Sequence, residues 1–204
     1  MSETIKELII NMFNGNPMLA TFVLAALPIF ELRGAIPFGM STQIWGKYAL
    51  TPLSSFLTSF FASTCVVPIV ALLFMPLLNA LKRSRWFNSI ATKFENRIKT
   101  KSNKINTQNK LKKFLGAMLF VAIPLPLTGV YTGTCIALML GLNFYETLMC
   151  VTAGNFVAGL IMLALSTIFK NNTLIVLLGF IVLLVVFIIT NYISKFVKSK
   201  KREA

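Results

Sequence analysis

Glu31 and Arg33 are the two residues of this chain whose type and position point most directly to chemistry. They lie in the segment ALPIFELRGAIPFG, inside an apolar stretch between Asn16 and Gly46. Ionisable side chains inside a membrane segment cost free energy and usually serve a function. A carboxyl group there can exchange a proton or bind a cation, and a guanidinium group can hold a phosphate or a carboxylate. The alternative is structural: an ion pair, or contacts with helix ends and backbone carbonyls.

A second segment broken by proline and glycine, AIPLPLTGVYTGT from Ala122 to Thr134, lies in the other half of the chain. Broken segments in corresponding halves indicate a transporter site near the membrane midplane. Hydroxyls, an aromatic ring and unwound backbone could form a polar pocket here; the alternative is a packing turn whose threonines bond to local backbone. The candidate substrate- or ion-binding residues of both segments and the next span are Glu31, Arg33, Pro37, Pro126, Thr128, Gly129, Tyr131, Thr132 and Asn155.

The composition is that of a polytopic membrane protein. The chain has 204 residues, of which 56% are hydrophobic, and its mean hydropathy is +0.76. Most of its basic residues lie in 82–113 and 195–204, which gives a net charge of +14. The positive-inside rule assigns both segments to the cytoplasm. Basic runs beside membrane spans favour anionic lipid headgroups over nucleic acid as partners.

An enzyme is not expected. The sequence contains no histidine and no aspartate, which excludes a Ser-His-Asp triad and a histidine metal site. Only one carboxyl group lies deep in apolar sequence, so a catalytic carboxylate pair is absent. No phosphate-binding loop for ATP is present either, and no cofactor or metal is predicted. Cys65, Cys135 and Cys150 are far apart in apolar sequence and are predicted to be small buried side chains.

The first half combines short apolar arms with one long one. Residues 1–16 predict an interfacial amphipathic helix, and 17–81 a first repeat. The arm from Pro17 to Phe30 would rise roughly 21 Å, against about 30 Å of hydrocarbon. This arm is too short to cross the membrane, and the apolar arm that follows the break is shorter still. The two arms therefore predict a re-entrant hairpin, which is followed by one tilted span. Alternatively, residues 17–46 cross once as a kinked helix.

The second half repeats this plan. If both basic segments are cytoplasmic, the second hairpin enters from the cytoplasm and the first from outside. The repeats then have inverted topology, which lets one central site open to either side. The predicted fold is all-α: one integral domain of the plasma membrane, with two re-entrant helical hairpins and about three full transmembrane helices. Its further segments are a basic cytoplasmic loop (82–113), a second repeat (114–169), a last transmembrane helix (172–194) and a basic cytoplasmic tail (195–204).

The segments ELRGAIPFG at 31–39 and PLPLTGVYTGT at 124–134, with a basic segment between them, resemble the small multidrug export protein family. The resemblance covers residues 17–195 and implies two re-entrant loops and a role in export. This family is distantly similar to the DedA, or VTT-domain, membrane proteins. DedA-type proteins are implicated in moving lipid-phosphate carriers such as undecaprenyl phosphate, and they carry acidic and arginine residues in both loops. Glu31 and Arg33 match the first loop, whereas the second loop has no arginine.

Three functions remain open from the sequence. The first is a secondary transporter that exports small solutes, with Glu31 as a proton or cation site. The second is a lipid-phosphate flippase in which Arg33 holds the headgroup. The third is a membrane organising protein that transports nothing. The expected partners are a bilayer with anionic headgroups and a small-molecule or lipid-phosphate substrate, with no nucleic acid; both a monomer and a homodimer are open.

Overall fold

The structure is a computed structural model that describes residues 3–83, 107–125, 128–169, 179 and 182. Within these ranges the chain forms helices and no strand, which confirms the all-α class. The predicted last transmembrane helix, the tail and Pro126 lie outside the described residues, apart from positions 179 and 182. The helices are α1 (Glu3–Met12), α2 (Pro17–Ala26), α3 (Glu31–Gly39), α4 (Thr42–Trp45), a 3-10 turn (Gly46–Tyr48), α5 (Pro52–Arg83), α6 (Thr107–Ala122), α7 (Val130–Met139) and α8 (Phe144–Ile168).

The two halves share one order of elements: a short helix, a break, a second short helix, a turn and a long helix. The packing has the same repetition. α2 packs on α3 and α5 as α6 packs on α7 and α8, and the long helices α5 and α8 pack on each other. α6 begins at Thr107, within the segment predicted as loop, because its first two turns carry the polar and basic end of an otherwise apolar helix.

The first hairpin consists of α2 and α3. The side chain of Asn16 caps α2 by accepting from the amides of Met18 and Leu19 at 3.0 and 3.1 Å, and Pro17 fits the first turn because it has no amide to leave unpaired. α3 then runs back along α2, since a Cβ on Gly39 would lie 2.5 Å from Thr21 Oγ1. The alternative of one kinked helix over 17–46 therefore does not describe this segment.

The second hairpin consists of α6 and α7. A Cβ on Gly133 would lie 2.2 Å from Val121 Cγ2, and these two positions are at similar distances from the middle of the break. α7 therefore returns antiparallel to α6, and Ala117 of α6 and Ala137 of α7 belong to the same buried cluster.

The long helices are the candidate membrane spans. Pro52–Phe74 of α5 and Phe144–Ile168 of α8 are 23 and 25 residues long, each with a mean hydropathy of 2.1. Residues 6–26, bent by 87°, would be a third if they count as one span, so the described residues contain two or three. α5 and α8 run antiparallel, because a Cβ on Gly159 would lie 2.7 Å from the Phe56 ring while Asn155 bonds to Ser63.

α5 buries most of its described hydroxyl residues and exposes several of its large apolar residues. Ser55, Ser59 and Ser63 are fully buried, whereas Phe61 and Leu72 are largely exposed. A helix in water shows the opposite distribution, and small polar residues are typical of helix contacts inside a bilayer. The prediction of a membrane protein agrees with this arrangement.

The prediction that all three cysteines are buried is wrong for Cys65. Cys150 is buried and Cys135 is half-buried, but Cys65 is exposed. It lies on the outer side of α5, where an apolar residue can face lipid instead of core.

The amphipathic segment at the amino terminus is helical, as predicted. Ile9, Ile10 and Phe13 pack against the buried cluster that contains Ala20 and Phe38. Only part of the predicted apolar face packs against the other helices, because Leu8 and Met12 remain exposed. The position of α1 at the membrane interface stays a prediction.

Candidate substrate site at the hairpin junction

The tips of the two hairpins meet at Glu31. This residue begins α3, and its carboxylate accepts from the first amides of α7: Val130 N lies 3.3 Å from Oε2 and Tyr131 N lies 3.5 Å from Oε1. The first amides of a helix have no partner within it, and they carry the positive end of the helix dipole. Glu31 in the first hairpin therefore caps a helix of the second.

Arg33 binds the other open helix end of the second hairpin. Its Nη1 donates to Glu31 Oε2 at 2.6 Å. Its Nη2 lies 2.8 Å from the carbonyl oxygen of Val121, 3.4 Å from that of Ile123 and 3.3 Å from that of Thr128. The first two carbonyls are at and just beyond the end of α6, where a cation is favoured, and the third lies in the break before α7. Arg33 is 1% exposed, and its Nε is a buried donor with no hydrogen-bond partner among the described groups.

Backbone geometry explains how residues two apart can pair. On a regular helix such residues do not face each other. Glu31 has a φ of +48°, in the left-handed region that non-glycine residues occupy only at a cost. This turn aims the carboxylate at both Arg33 and α7. The local strain is offset by the bonds that the carboxylate gains.

Gly129 leaves the space that the Glu31 carboxylate occupies. A Cβ at position 129 would lie 1.4 Å from Glu31 Oε2, so no other residue fits without displacing the carboxylate. In the opposite direction, the Tyr131 hydroxyl donates to the carbonyl of Ala26 at the end of α2. Each tip thus satisfies open backbone groups of the other. We call Glu31, Arg33, Gly129, Val130 and Tyr131 the hairpin junction.

The remaining candidate residues are not part of the hairpin junction as defined above. Thr128 Oγ1 donates to the carbonyls of Ile123 and Leu125 at 2.8 and 2.9 Å, and Thr132 Oγ1 donates to that of Gly129 at 3.4 Å. These are the local backbone bonds of the packing-turn alternative. Pro37 is buried in α3, one turn beyond Arg33. That any of these residues binds a substrate stays a prediction.

Asn155 lies in a polar seam between the long helices. Its Nδ2 donates to Ser63 Oγ at 2.8 Å and to Thr64 Oγ1 at 3.3 Å, so these bonds go to α5 and not to a hairpin tip. The buried serines of α5 escaped the sequence analysis, although Ser55, Ser59 and Ser63 recur every fourth residue and so share a face; Ser55 Oγ donates to the carbonyl of Ile36 in α3 at 2.9 Å. The contributions of Ala26, Val121 and Val130 to the junction could not be predicted, because they act through backbone atoms.

One apolar groove adjoins the junction at Tyr131, and another lies apart from it. The lateral groove has a volume of about 470 Å³ and lies between α5 and α7, where Leu73, Phe74, Tyr131, Thr132, Cys135 and Ile136 line it. The second groove, of about 610 Å³, lies among α5, α6 and α8 and includes Phe60, Met118 and Ala153. In the described part of the chain no group of three or more histidine, cysteine or acidic residues could hold a metal.

Residues 31–161 match the protein family described as "Putative small multi-drug export protein". The match begins at Glu31, directly after the break of the first hairpin, and includes the break of the second. All five residues of the hairpin junction lie within it. Comparison with curated proteins and with solved structures gives no match.

Proposed function

The chain belongs to the family of small multi-drug export proteins, and on that premise we propose that it is a secondary transporter that exports small solutes through the plasma membrane. An ATP-driven mechanism is not proposed, because the sequence has no phosphate-binding loop. Energy would come from an ion gradient, with Glu31 as the proton site.

The observation that carries this proposal is the buried ion pair at the junction. Glu31 and Arg33 bind each other and both open helix ends of the second hairpin. Away from the junction, the described parts of the two hairpins have little contact with each other. The attachment of one tip to the other therefore depends on a few charge-assisted hydrogen bonds, which are strong but can be switched by one proton.

Protonation of Glu31 would weaken this attachment in two ways. The neutral carboxyl group no longer balances Arg33, and a buried charge without its partner is strongly destabilising. It also accepts less strongly from the α7 amides, since the helix dipole favours an anion. The tips would then separate or admit a ligand. Release of the proton on the other side would restore the closed junction.

The arrangement of helices supports two-sided access. The long helices α5 and α8 occupy corresponding positions in the two halves and run antiparallel. We propose that the hairpins are re-entrant and inverted, with residues 82–113 and the carboxyl terminus in the cytoplasm. Corresponding helices of opposite direction are what inverted repeats require, and such repeats can open toward either side in turn.

Transport into proteoliposomes tests the function. A set of small organic solutes is screened with and without a pH gradient, using the unmodified protein, Glu31→Gln and the control Glu146→Gln. Glu146 is a matched carboxylate because it also caps a helix and pairs with a cation, Lys110, but it is partly exposed. We expect Glu31→Gln to reduce gradient-driven transport at least tenfold and Glu146→Gln to leave it intact. Full gradient-driven transport by Glu31→Gln, folded by size-exclusion chromatography, would refute the proton site.

Arg33→Gln distinguishes the two other functions in the same vesicles. A lipid-phosphate flippase requires that this change selectively remove lipid-phosphate binding. That role would have to displace Arg33 from the carbonyls it now binds. An organising protein without transport predicts unchanged phenotypes for both Glu31→Gln and Arg33→Gln.

A further inference from the structure

The lateral groove is continuous with the hairpin junction. Tyr131 belongs to both: it lines the groove, its amide donates to Glu31 and its hydroxyl donates to the carbonyl of Ala26. From Tyr131 the groove follows α7 through Cys135 to Ile136, which corresponds to about 7.5 Å of helix rise. A molecule in this groove would therefore have one end at the junction.

The described lining of the groove is mostly apolar. Among the described lining residues only Tyr131 and Cys135 are ionisable, and neither is a carboxylic acid or an amine. Its volume of about 470 Å³ is in the range of small-molecule sites. Leu73 on its edge is 58% exposed, so the groove is open on the side where α5 would face lipid.

The junction accepts an uncharged end more readily than an ion. Glu31 and Arg33 neutralise each other, and each is further compensated by a helix end of opposite polarity. An added ion would find no opposite charge left over among the described groups at the junction, and a buried ion without a partner is unfavourable. A neutral acceptor can instead bond to the Nε of Arg33, a buried donor with no hydrogen-bond partner among the described groups.

We propose that the substrate of this transporter is a small uncharged amphiphile that enters from the bilayer, with its apolar part in the lateral groove and its polar end at the junction. This inference rests on the proposed transport function and names its substrate class. The second groove is of similar size and equally apolar, but none of its lining residues belongs to the junction. It therefore serves as the internal control for simple partitioning into an apolar surface.

The native Cys135 reports occupancy of the groove. In nanodiscs, a variant with Cys65→Ala and Cys150→Ala keeps Cys135 as the single cysteine. A second variant, Cys65→Ala/Cys135→Ala/Cys150→Ala with Ala153→Cys, reports on the second groove. The rate of modification by N-ethylmaleimide is measured with hexyl glucoside, hexyl phosphate and hexyltrimethylammonium, and with glucose, inorganic phosphate and tetramethylammonium as probes without an alkyl chain.

We expect hexyl glucoside to slow modification of Cys135 at least tenfold more than modification at position 153, and glucose alone to have no effect. The two charged hexyl probes should protect at least tenfold less. The headgroup charge that protects Cys135 best should change with the charge of the junction. Glu31→Gln leaves Arg33 unbalanced and should favour hexyl phosphate, while Arg33→Gln should favour hexyltrimethylammonium.

Equal protection at both grooves, or equal protection by all three headgroups, would overturn the proposal. The proposed binding site and the proposed transport function can fail independently, because labelling measures binding and the proteoliposomes measure transport. Loss of transport in Glu31→Gln without protection of Cys135 would refute the groove alone. Protection of Cys135 without transport of any solute would refute the transporter and leave the binding site.

Discussion

Glu31 and Arg33 each contact a helix end of the opposite hairpin as well as each other. Another ion pair among the described residues joins Lys110 and Glu146 near the start of α8, where both side chains are partly exposed. The two pairs differ in burial, and therefore in how much the loss of one member should destabilise the fold. Exposed pairs contribute about 0–1 kcal/mol, whereas removal of one member of a buried pair costs about 3–5 kcal/mol.

The first prediction concerns the coupling between Glu31 and Arg33. Glu31→Gln and Arg33→Gln should each lower the free energy of unfolding by about 3–5 kcal/mol, because each leaves a buried partner uncompensated. The double variant should lose clearly less than the sum, and the difference measures the coupling. Denaturant titration in detergent micelles gives the values. Lys110→Gln is the control, with an expected loss below about 1 kcal/mol; additive losses at positions 31 and 33 would contradict the pairing.

The second prediction concerns Gly129. Gly129→Ala would place a methyl group where Glu31 Oε2 lies, so it should lower the unfolding free energy by about 1–3 kcal/mol, as overpacking does. It should also reduce transport as Glu31→Gln does, because the carboxylate must move. Gly116→Ala is the matched control: a Cβ there meets nothing within 4 Å, and an alanine inside α6 should stabilise by about 0.5–1 kcal/mol. Equal effects of the two changes would mean that the carboxylate is not at Gly129.

At the scale of elements, the structure depends on close approach of helices through small residues. Gly154 permits contact between α8 and α6, since a Cβ there would lie 2.5 Å from the Met118 carbonyl oxygen. Gly159 similarly permits contact with α5. The small residues of α8 were recognised in the sequence, but their partners were not, because helical spacing says which residues share a face and not which helix covers it.

The third prediction tests the antiparallel second hairpin. In a background without the native cysteines, Val121→Cys with Gly133→Cys should form a disulfide on mild oxidation, because the two Cβ positions are 3.7 Å apart and disulfides span about 3.5–4.5 Å. Gly116→Cys with Gly133→Cys uses the same helices and should not react, since nothing surrounds position 116. Mass spectrometry of proteolytic fragments detects the bond. An unbroken helix through residues 107–139 would leave both pairs reduced.

At the scale of the whole molecule, the corresponding long helices α5 and α8 run in opposite directions. This relation, together with the matching packing of the two halves, is the reason for proposing a site with access from two sides. Because the two helices run in opposite directions, the turns that precede them should lie on opposite sides of the membrane.

The fourth prediction places these turns on opposite faces of the membrane. Tyr48 and Tyr145 are 64% and 76% exposed and lie near the starts of α5 and α8. In a background without the native cysteines, Tyr48→Cys should react with a membrane-impermeant maleimide added to intact cells. Tyr145→Cys should react only after the membrane is permeabilised. Reaction of both from one side would exclude inverted repeats, and blocking with a permeant maleimide first serves as the control in each case.

The sequence by itself determined the class of the protein and the position of its two breaks. Long runs of apolar residues predict helices that span or enter a bilayer, and proline, glycine and charge within such runs predict where a helix stops. That Glu31 and Arg33 are unusual also followed from the sequence, since ionisable groups are rare in apolar membrane segments; their role in binding stays a prediction. These inferences depend on local composition, which a single chain displays directly.

Only the tertiary structure decided what the pair contacts. Glu31 binds amides of α7, and Arg33 binds carbonyls at the end of α6; every residue has such backbone groups, so no side-chain pattern identifies them in advance. The left-handed turn at Glu31 is likewise a result of packing, because its strain persists only where surrounding contacts offset it. The chain thus predicts which residues are unusual, whereas their partners depend on how two distant hairpins meet.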